Sequence, residues 1–251
     1  MWQAVRSNKM ICAVNSPTEL CDFSEENIYL VKILSNMTAY GNLSCVRTWV
    51  QSGNAVLQTV DDCAILFADD NADFDEIAEF MPFCGAKSVF TSIENAAKLR
   101  LNVMESGIIL RKSRTTAHSP PNSGILRQYY PDYTQIYSRL SECGFTLPPR
   151  DDFAADLSLR LRRNTARVFC NDDYTAISII GFETAKSAII SAVAVSPDMR
   201  RQGLGSDALS AAAMLENEQK QVYLYREIGK NEEFYLKNGF YEIDSFANCK
   251  I

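Results

Sequence analysis

Between Val193 and Gly205 the chain reads Val-Ala-Val-Ser-Pro-Asp-Met-Arg-Arg-Gln-Gly-Leu-Gly. An apolar strand runs into a proline turn, then two arginines, then two glycines at the mouth of a helix-forming stretch. Few folds accept that order. Pro197 cannot donate to a strand ladder, so the strand ends there. Small residues at 203 and 205 let the backbone approach an anion closely, and the first N–H groups of a helix are unpaired and lie at the positive end of its dipole. The segment predicts a strand, a pyrophosphate-sized anion loop and a helix, in that order, inside a mixed α/β sheet.

Composition narrows the classes further. The 251 residues are 47% hydrophobic, which suits a buried core, and the formal net charge of -6 with pI near 5.0 offers no basic field for nucleic acid or an anionic membrane. No uninterrupted apolar run approaches the ~18 residues of a membrane span. Met1-Trp2-Gln3-Ala4-Val5-Arg6 does not read as an export signal, so a soluble, cytoplasmic chain is expected. The eight cysteines include no C-x-x-C pair, and His118 is the single histidine. Reduced, mostly buried thiols and no structural metal are therefore expected. His118 lies in a polar, proline-containing stretch, which argues against a histidine-based nucleophilic mechanism.

That stretch, Arg111 to Gly124, divides the chain into residues 1–112, a linker at 113–124, and residues 125–251. In the second part, helices are expected at Tyr130–Cys143 and Asp151–Arg163, and strands at Ala166–Cys170, Thr175–Phe182 and Ser187–Val195. After the glycine loop come a helix at Ser206–Gln219, a strand at Gln221–Arg226, a short helix at Asn231–Asn238 and a strand at Phe240–Phe246. The first part is legible from residue 54 on. Strands at Ala55–Val60 and Cys63–Ala68 precede a helix at Asp73–Phe83, a strand at Lys87–Thr91, a helix at Ile93–Val103 and a strand at Gly107–Lys112. This repeats the order of the second part, with the acidic turn Asp69 to Asp73 where the glycine loop should be. Residues 1–112 thus read as a degenerate copy that would repel a pyrophosphate.

Gly203-x-Gly205-x-x-Ala208, with Glu227 downstream, also fits a dinucleotide fingerprint, but there the strand feeds almost directly into the first glycine, whereas here Ser196 to Gln202 intervene. A second motif decides: Asn231-Glu-Glu-Phe-Tyr-Leu-Lys-Asn-Gly-Phe240 follows the loop at the right place. Together the two motifs resemble the GNAT superfamily of acyl-CoA-dependent N-acyltransferases, over about residues 126–251. The resemblance implies a GNAT-like acyltransferase domain preceded by a degenerate GNAT-like N-terminal domain.

It further implies that the acyl-pantetheine arm of acetyl-CoA lies along Val193, Ala194 and Val195, in a gap opened against Gln221–Arg226. Arg200, Arg201, Gln202, Gly203, Leu204, Gly205 and Ser206 would surround the pyrophosphate; Arg200 and Arg201 also fit a solvated turn. Tyr235 matches the family tyrosine that protonates the departing thiolate, although a tyrosine there also fits simple packing. No carboxylate occupies Ile189–Val195, where many relatives carry a glutamate, and Glu183, Glu227 or a water chain are weak substitutes. The arginines of Leu159–Arg167 read as a solvated helix end or, alternatively, as part of an acceptor pocket. The implied activity is transfer of an acetyl group to a primary amine of a small molecule or protein by direct attack. A non-catalytic acyl-CoA sensor is the alternative.

Overall fold

The computed structural model describes residues 10–41, 43–113, 124–215 and 219–251. His118 and most of the linker lie outside the described residues. The chain forms two compact units that do not follow its halves: Glu25–Gly41 and Gly107–Asp244 make one, and Met1–Ser24, Asn42–Ser106 and Ser245–Ile251 the other. The 1–112 and 125–251 division therefore needs correcting. A helix and a strand end from the first part complete the second unit, and the last seven residues complete the first. Contacts in space, rather than chain order, set these groupings.

The first unit orders its strands β1 (Ile11–Val14), β2 (Val46–Gln51), β3 (Ala55–Val60), β4 (Cys63–Ala68), β5 (Ser88–Ser92) and the end of β12 (Phe240–Lys250). All given pairings are antiparallel except β4 with β5, which is parallel. A parallel neighbour needs a crossover, and α2 (Phe74–Phe80) provides it; α3 (Ile93–Lys98) follows β5. Leu57, Leu66, Ile77, Met81, Val89, Ala96 and Ala247 share one core cluster.

In the second unit the order is β12, β6 (Asn102–Lys112), β11 (Gln221–Glu227), β10 (Ser187–Val195), β9 (Ala176–Glu183), β8 (Arg167–Cys170) and β7 (Leu126–Gln128). Again one pair, β10 with β11, is parallel, and its crossover is α6 (Leu204–Ala213). The two units repeat one arrangement: β3-β4-α2-β5 and β9-β10-α6-β11 share order and strand direction.

Both faces of the second sheet are covered. On one side Ala208, Leu209 and Ala212 of α6 pack with Ala176, Ile180, Ile190 and Leu224. On the other, Ile136 and Leu140 of α4 (Tyr133–Glu142) and Leu157 of α5 (Arg150–Arg162) pack with Ile177, Ile179 and Ala194. Strand alternation sends Ile179 and Ile180 to opposite sides. α1 (Ile28–Tyr40) also belongs to this unit; its N-cap Asn27 accepts from the Tyr29 amide, and Tyr223 Oη donates to the Glu26 carbonyl at 2.5 Å.

Most expected elements appear within two residues of their predicted ends. Six differ more. α6 ends at Ala213, α3 stops at Lys98, α2 gives way at Phe80 to a 3-10 turn, α4 starts at Tyr133, and β6 and β12 extend beyond the residues expected to be strand.

Candidate active site

β10 and β11 pair only from Ser187 opposite Gln221 to Ile190 opposite Leu224. Beyond that point they part, although β10 continues to Val195 and β11 to Glu227. The cause is a bulge. The β9–β10 register shifts on both sides of Ile190, and Gly181 and Ser191 are the residues left out of the pairing. A Cβ at Gly181 would lie 2.2 Å from Ser191 Oγ, so only glycine lets the two strands approach there. Gly181, Phe182, Ser191, Ala192, Val193 and Tyr225 are partly exposed, whereas the residues before them on all three strands are buried. The middle of a helix-covered sheet is therefore open at this gap.

The glycine loop closes one end of it. Pro197–Met199 forms a 3-10 turn, Arg200 is extended, and Arg201 and Gly203 are left-handed at φ 64 and 88. Glycine adopts that region without strain, whereas at Arg201 it costs backbone energy. α6 begins at Leu204, two residues earlier than the sequence suggests, and its first backbone bond is from Asp207 N–H to the Gly203 carbonyl at 3.1 Å. The amides of Leu204, Gly205 and Ser206 thus precede the ladder at the dipole's positive end. Arg200 folds back, its Nε donating to the Val195 carbonyl at 3.3 Å, a bond also made by Cys143 Sγ. Arg201 and Gln202 are exposed.

α7 (Glu232–Lys237) forms the other wall. Asn238 Nδ2 donates to the Phe234 carbonyl and Lys112 Nζ to the Asn238 carbonyl, both at 2.7 Å. Phe234 packs edge-on against Tyr235, which also meets Phe240. Burial pushes the Tyr235 phenol above the ordinary tyrosine pKa, and the charge of Arg226 partly opposes the rise. Val193, Val195, Leu204, Phe234 and Tyr235 all pack against one core cluster, so strand, loop and helix converge. Ala194 turns to the opposite side.

Other expectations need correction. Arg160 is not solvated: it is 7% exposed, and donates to Asp156, Asn36 and Tyr40. Arg167 binds the buried Glu183 carboxylate at 2.5 and 2.8 Å, and Lys220 Nζ reaches it at 2.5 Å. Glu183 is thus engaged by two cations. Glu227 pairs with Lys230 at 2.5 Å. All eight cysteines are free, but only Cys84, Cys170 and Cys249 are buried. Among the described residues, no three His, Cys, Asp or Glu side chains gather as a metal site.

The first unit's copy of the gap is engaged by its own side chains. β4 and β5 pair from Cys63 to Ile65, and past that point Thr91 Oγ1 donates to the Leu66 carbonyl at 3.0 Å and Asn95 Nδ2 to the Ala68 carbonyl at 3.1 Å. At the turn, Asp73 caps α2 by accepting from the Glu76 amide. A carboxylate occupies the position that the second unit leaves to backbone donors.

The sequence profile of the acetyltransferase (GNAT) domain matches residues 164–242. Solved structures with a similar fold include a tandem GNAT protein from the clavulanic acid biosynthesis pathway, at 11% identity and TM-score 0.61, covering 96% of this chain and 98% of that one. A GCN5-related N-acetyltransferase from Sphaerobacter thermophilus aligns at 13% identity and TM-score 0.58, covering 95% and 94%. A GNAT-family acetyltransferase from Colwellia psychrerythraea aligns at 11% and 0.59, covering 96% and 99%. No curated protein sequence matches. Over residues 164–242 the chain matches the acetyltransferase (GNAT) domain, and its fold is similar to that of these GNAT proteins, which supports an acyl-CoA-dependent acetyltransferase in general.

Proposed function

We propose that the protein is an N-acetyltransferase that moves an acetyl group from acetyl-CoA to a primary amine of a small molecule or protein, by direct attack in a ternary complex, in the cytoplasm. The observation that carries this is the β10–β11 gap with an anion loop at one end and Tyr235 on α7 beside it. The residues fit the coenzyme. The amides of Leu204, Gly205 and Ser206, with Arg200, Arg201, Gln202 and Gly203, supply donors and positive charge for a pyrophosphate. The edge of Val193–Val195 that β11 leaves, apart from the Val195 carbonyl taken by Arg200 and Cys143, supplies backbone groups for the pantetheine arm, as an added strand would use them. Bound there, acetyl-CoA brings the activated acyl group.

Tyr235 holds its proton at neutral pH because burial disfavours the phenolate, so it serves as the acid for the leaving sulfur. The amine must arrive neutral. With Glu183 engaged by Arg167 and Lys220, its proton leaves by another route, and this favours one second reading, a non-catalytic acyl-CoA sensor. An amine library with acetyl-CoA, scored for free thiol, separates the two: amine-dependent thiol release supports the transferase, while CoA binding without release against every amine supports the sensor.

A further inference from the structure

Arg226 lies two residues past Leu224, the last β11 residue paired to β10. Val222 and Leu224 pack with α6, so alternation puts Arg226 on that same face, toward α6 and α7. It is 6% exposed. Its Nη2 pairs with Glu242 on β12 and, at 3.5 Å, with Glu232 on α7, and Nη1 donates to the Glu227 carbonyl at 3.2 Å. Its Nε–H is buried without a hydrogen-bond partner. A buried guanidinium with an unmet donor is costly, and a packed apolar side chain would serve the strand better. The chemistry beside it supplies a reason. Glu232 opens the helix whose next turn carries Tyr235, so the ion pair fixes the helix that bears the acid.

The charged groups on the elements around Tyr235 are Asp207 on α6, Glu105, Arg111 and Lys112 on β6, Arg226 and Glu227 on β11, Glu242, Asp244 and Lys250 on β12, Glu232, Glu233 and Lys237 on α7, and Arg200 and Arg201 in the loop. Of these, Arg226 is the one whose charge acts on the phenol. We propose that Arg226 is a positioning residue for acyl transfer: clamped between Glu242 and Glu232, it holds α7 at the gap and supplies the positive field in which Tyr235 gives up its proton. The role rests on the acyl-transfer reading. As the amine nitrogen bonds to the acyl carbon and the C–S bond breaks, Tyr235 passes its proton to the leaving sulfur. The guanidinium stabilises the phenolate until it recovers the proton lost by the amine nitrogen.

The test needs no acceptor. With tyrosine labelled by 13C at Cζ, the Tyr235 signal is the one missing from Tyr235→Phe, and it is followed through the alkaline range. Arg226→Gln should raise the pKa of Tyr235, and Arg226→Lys should keep it near the parent value. Glu242→Gln, at a half-exposed site that tolerates the change, should lower it by leaving the guanidinium less compensated; this variant decides if Arg226→Gln does not fold. A Tyr235 signal that does not move in the folded variants overturns the role. A protein that CoA does not stabilise loses the acyl-transfer reading and this role with it, whereas CoA binding with an unmoved signal overturns the role of Arg226 alone.

Discussion

Gly205 separates the fold from the site by the sign of the effect. A Cβ at this position would meet the Phe234 ring at 3.5 Å and Val195 Cγ2 at 3.6 Å, ordinary contacts, and its φ is not left-handed. Gly205→Ala should therefore stabilise the ligand-free protein by up to about 1 kcal/mol, the usual gain for alanine over glycine in a helix. For a chain of this size that is a rise in Tm of about 1–4 °C. Gly205→Glu also leaves the fold intact, because a carboxylate in the first turn of a helix is favourable by about 0.3–1 kcal/mol. It nevertheless puts a negative charge among the amides of Leu204, Gly205 and Ser206. CoA at a hundred times its Kd should stabilise the parent by about 2.7 kcal/mol, or about 5–10 °C, and the glutamate variant not at all. The assay is thermal melting with and without CoA. A glutamate variant that keeps the full CoA shift would refute the placement of the pyrophosphate at this loop.

Tyr235→Phe keeps the ring packed between Phe234 and Phe240 and deletes the proton donor; turnover on the identified amine should fall roughly 10- to 1000-fold with CoA affinity unchanged, and parent-level turnover would make Tyr235 a packing residue. Gly181→Ala should cost about 1–3 kcal/mol in urea unfolding, because its Cβ overlaps Ser191, and Ser191→Gly should restore part of the loss; an unaltered midpoint would contradict the bulge. Stability should also decline in alkali. Tyr29, Tyr223 and Tyr235 have raised pKa values and Tyr40 is pushed up to about 12, so above about pH 10 the unfolded chain loses protons that the folded one keeps. Each such tyrosine lowers stability by up to about 1.4 kcal/mol per pH unit between its unfolded and folded pKa, and the buried thiols of Cys84, Cys170 and Cys249 start the decline near pH 9. Denaturant melts across this range check the slope, and a flat profile would argue that these groups are solvated.

What the sequence made legible was punctuation and period. Pro197, Gly203 and Gly205 mark the end of one strand and the start of α6, and the run Ser187–Val195 is a strand at those residues. The elements before residue 54 were harder to read. α1 is buried nearly all round, so its pattern lacks the polar face that identifies a surface helix, and β1 is only four residues long. The bulge escaped for another reason: Gly181 inside Ala176–Glu183 is a recognisable signal for close backbone approach, but its counterpart, Ser191, is identified only by the register. Arg160 and Arg226 carry charges that composition assigns to the surface, and only tertiary contacts reveal them as buried. Strand partnership was likewise beyond local patterns, since β6 and β12 each divide between the two units.

Of two copies of the same strand and helix order, only the second is proposed to hold acyl-CoA. Calorimetric titration of the whole chain with CoA tests it most directly. One CoA per chain is expected, lost in Gly205→Glu and retained in Asp73→Asn, which alters the capping side chain of the first copy. Two equivalents per chain, no binding, or binding that follows Asp73 instead of Gly205 would contradict it.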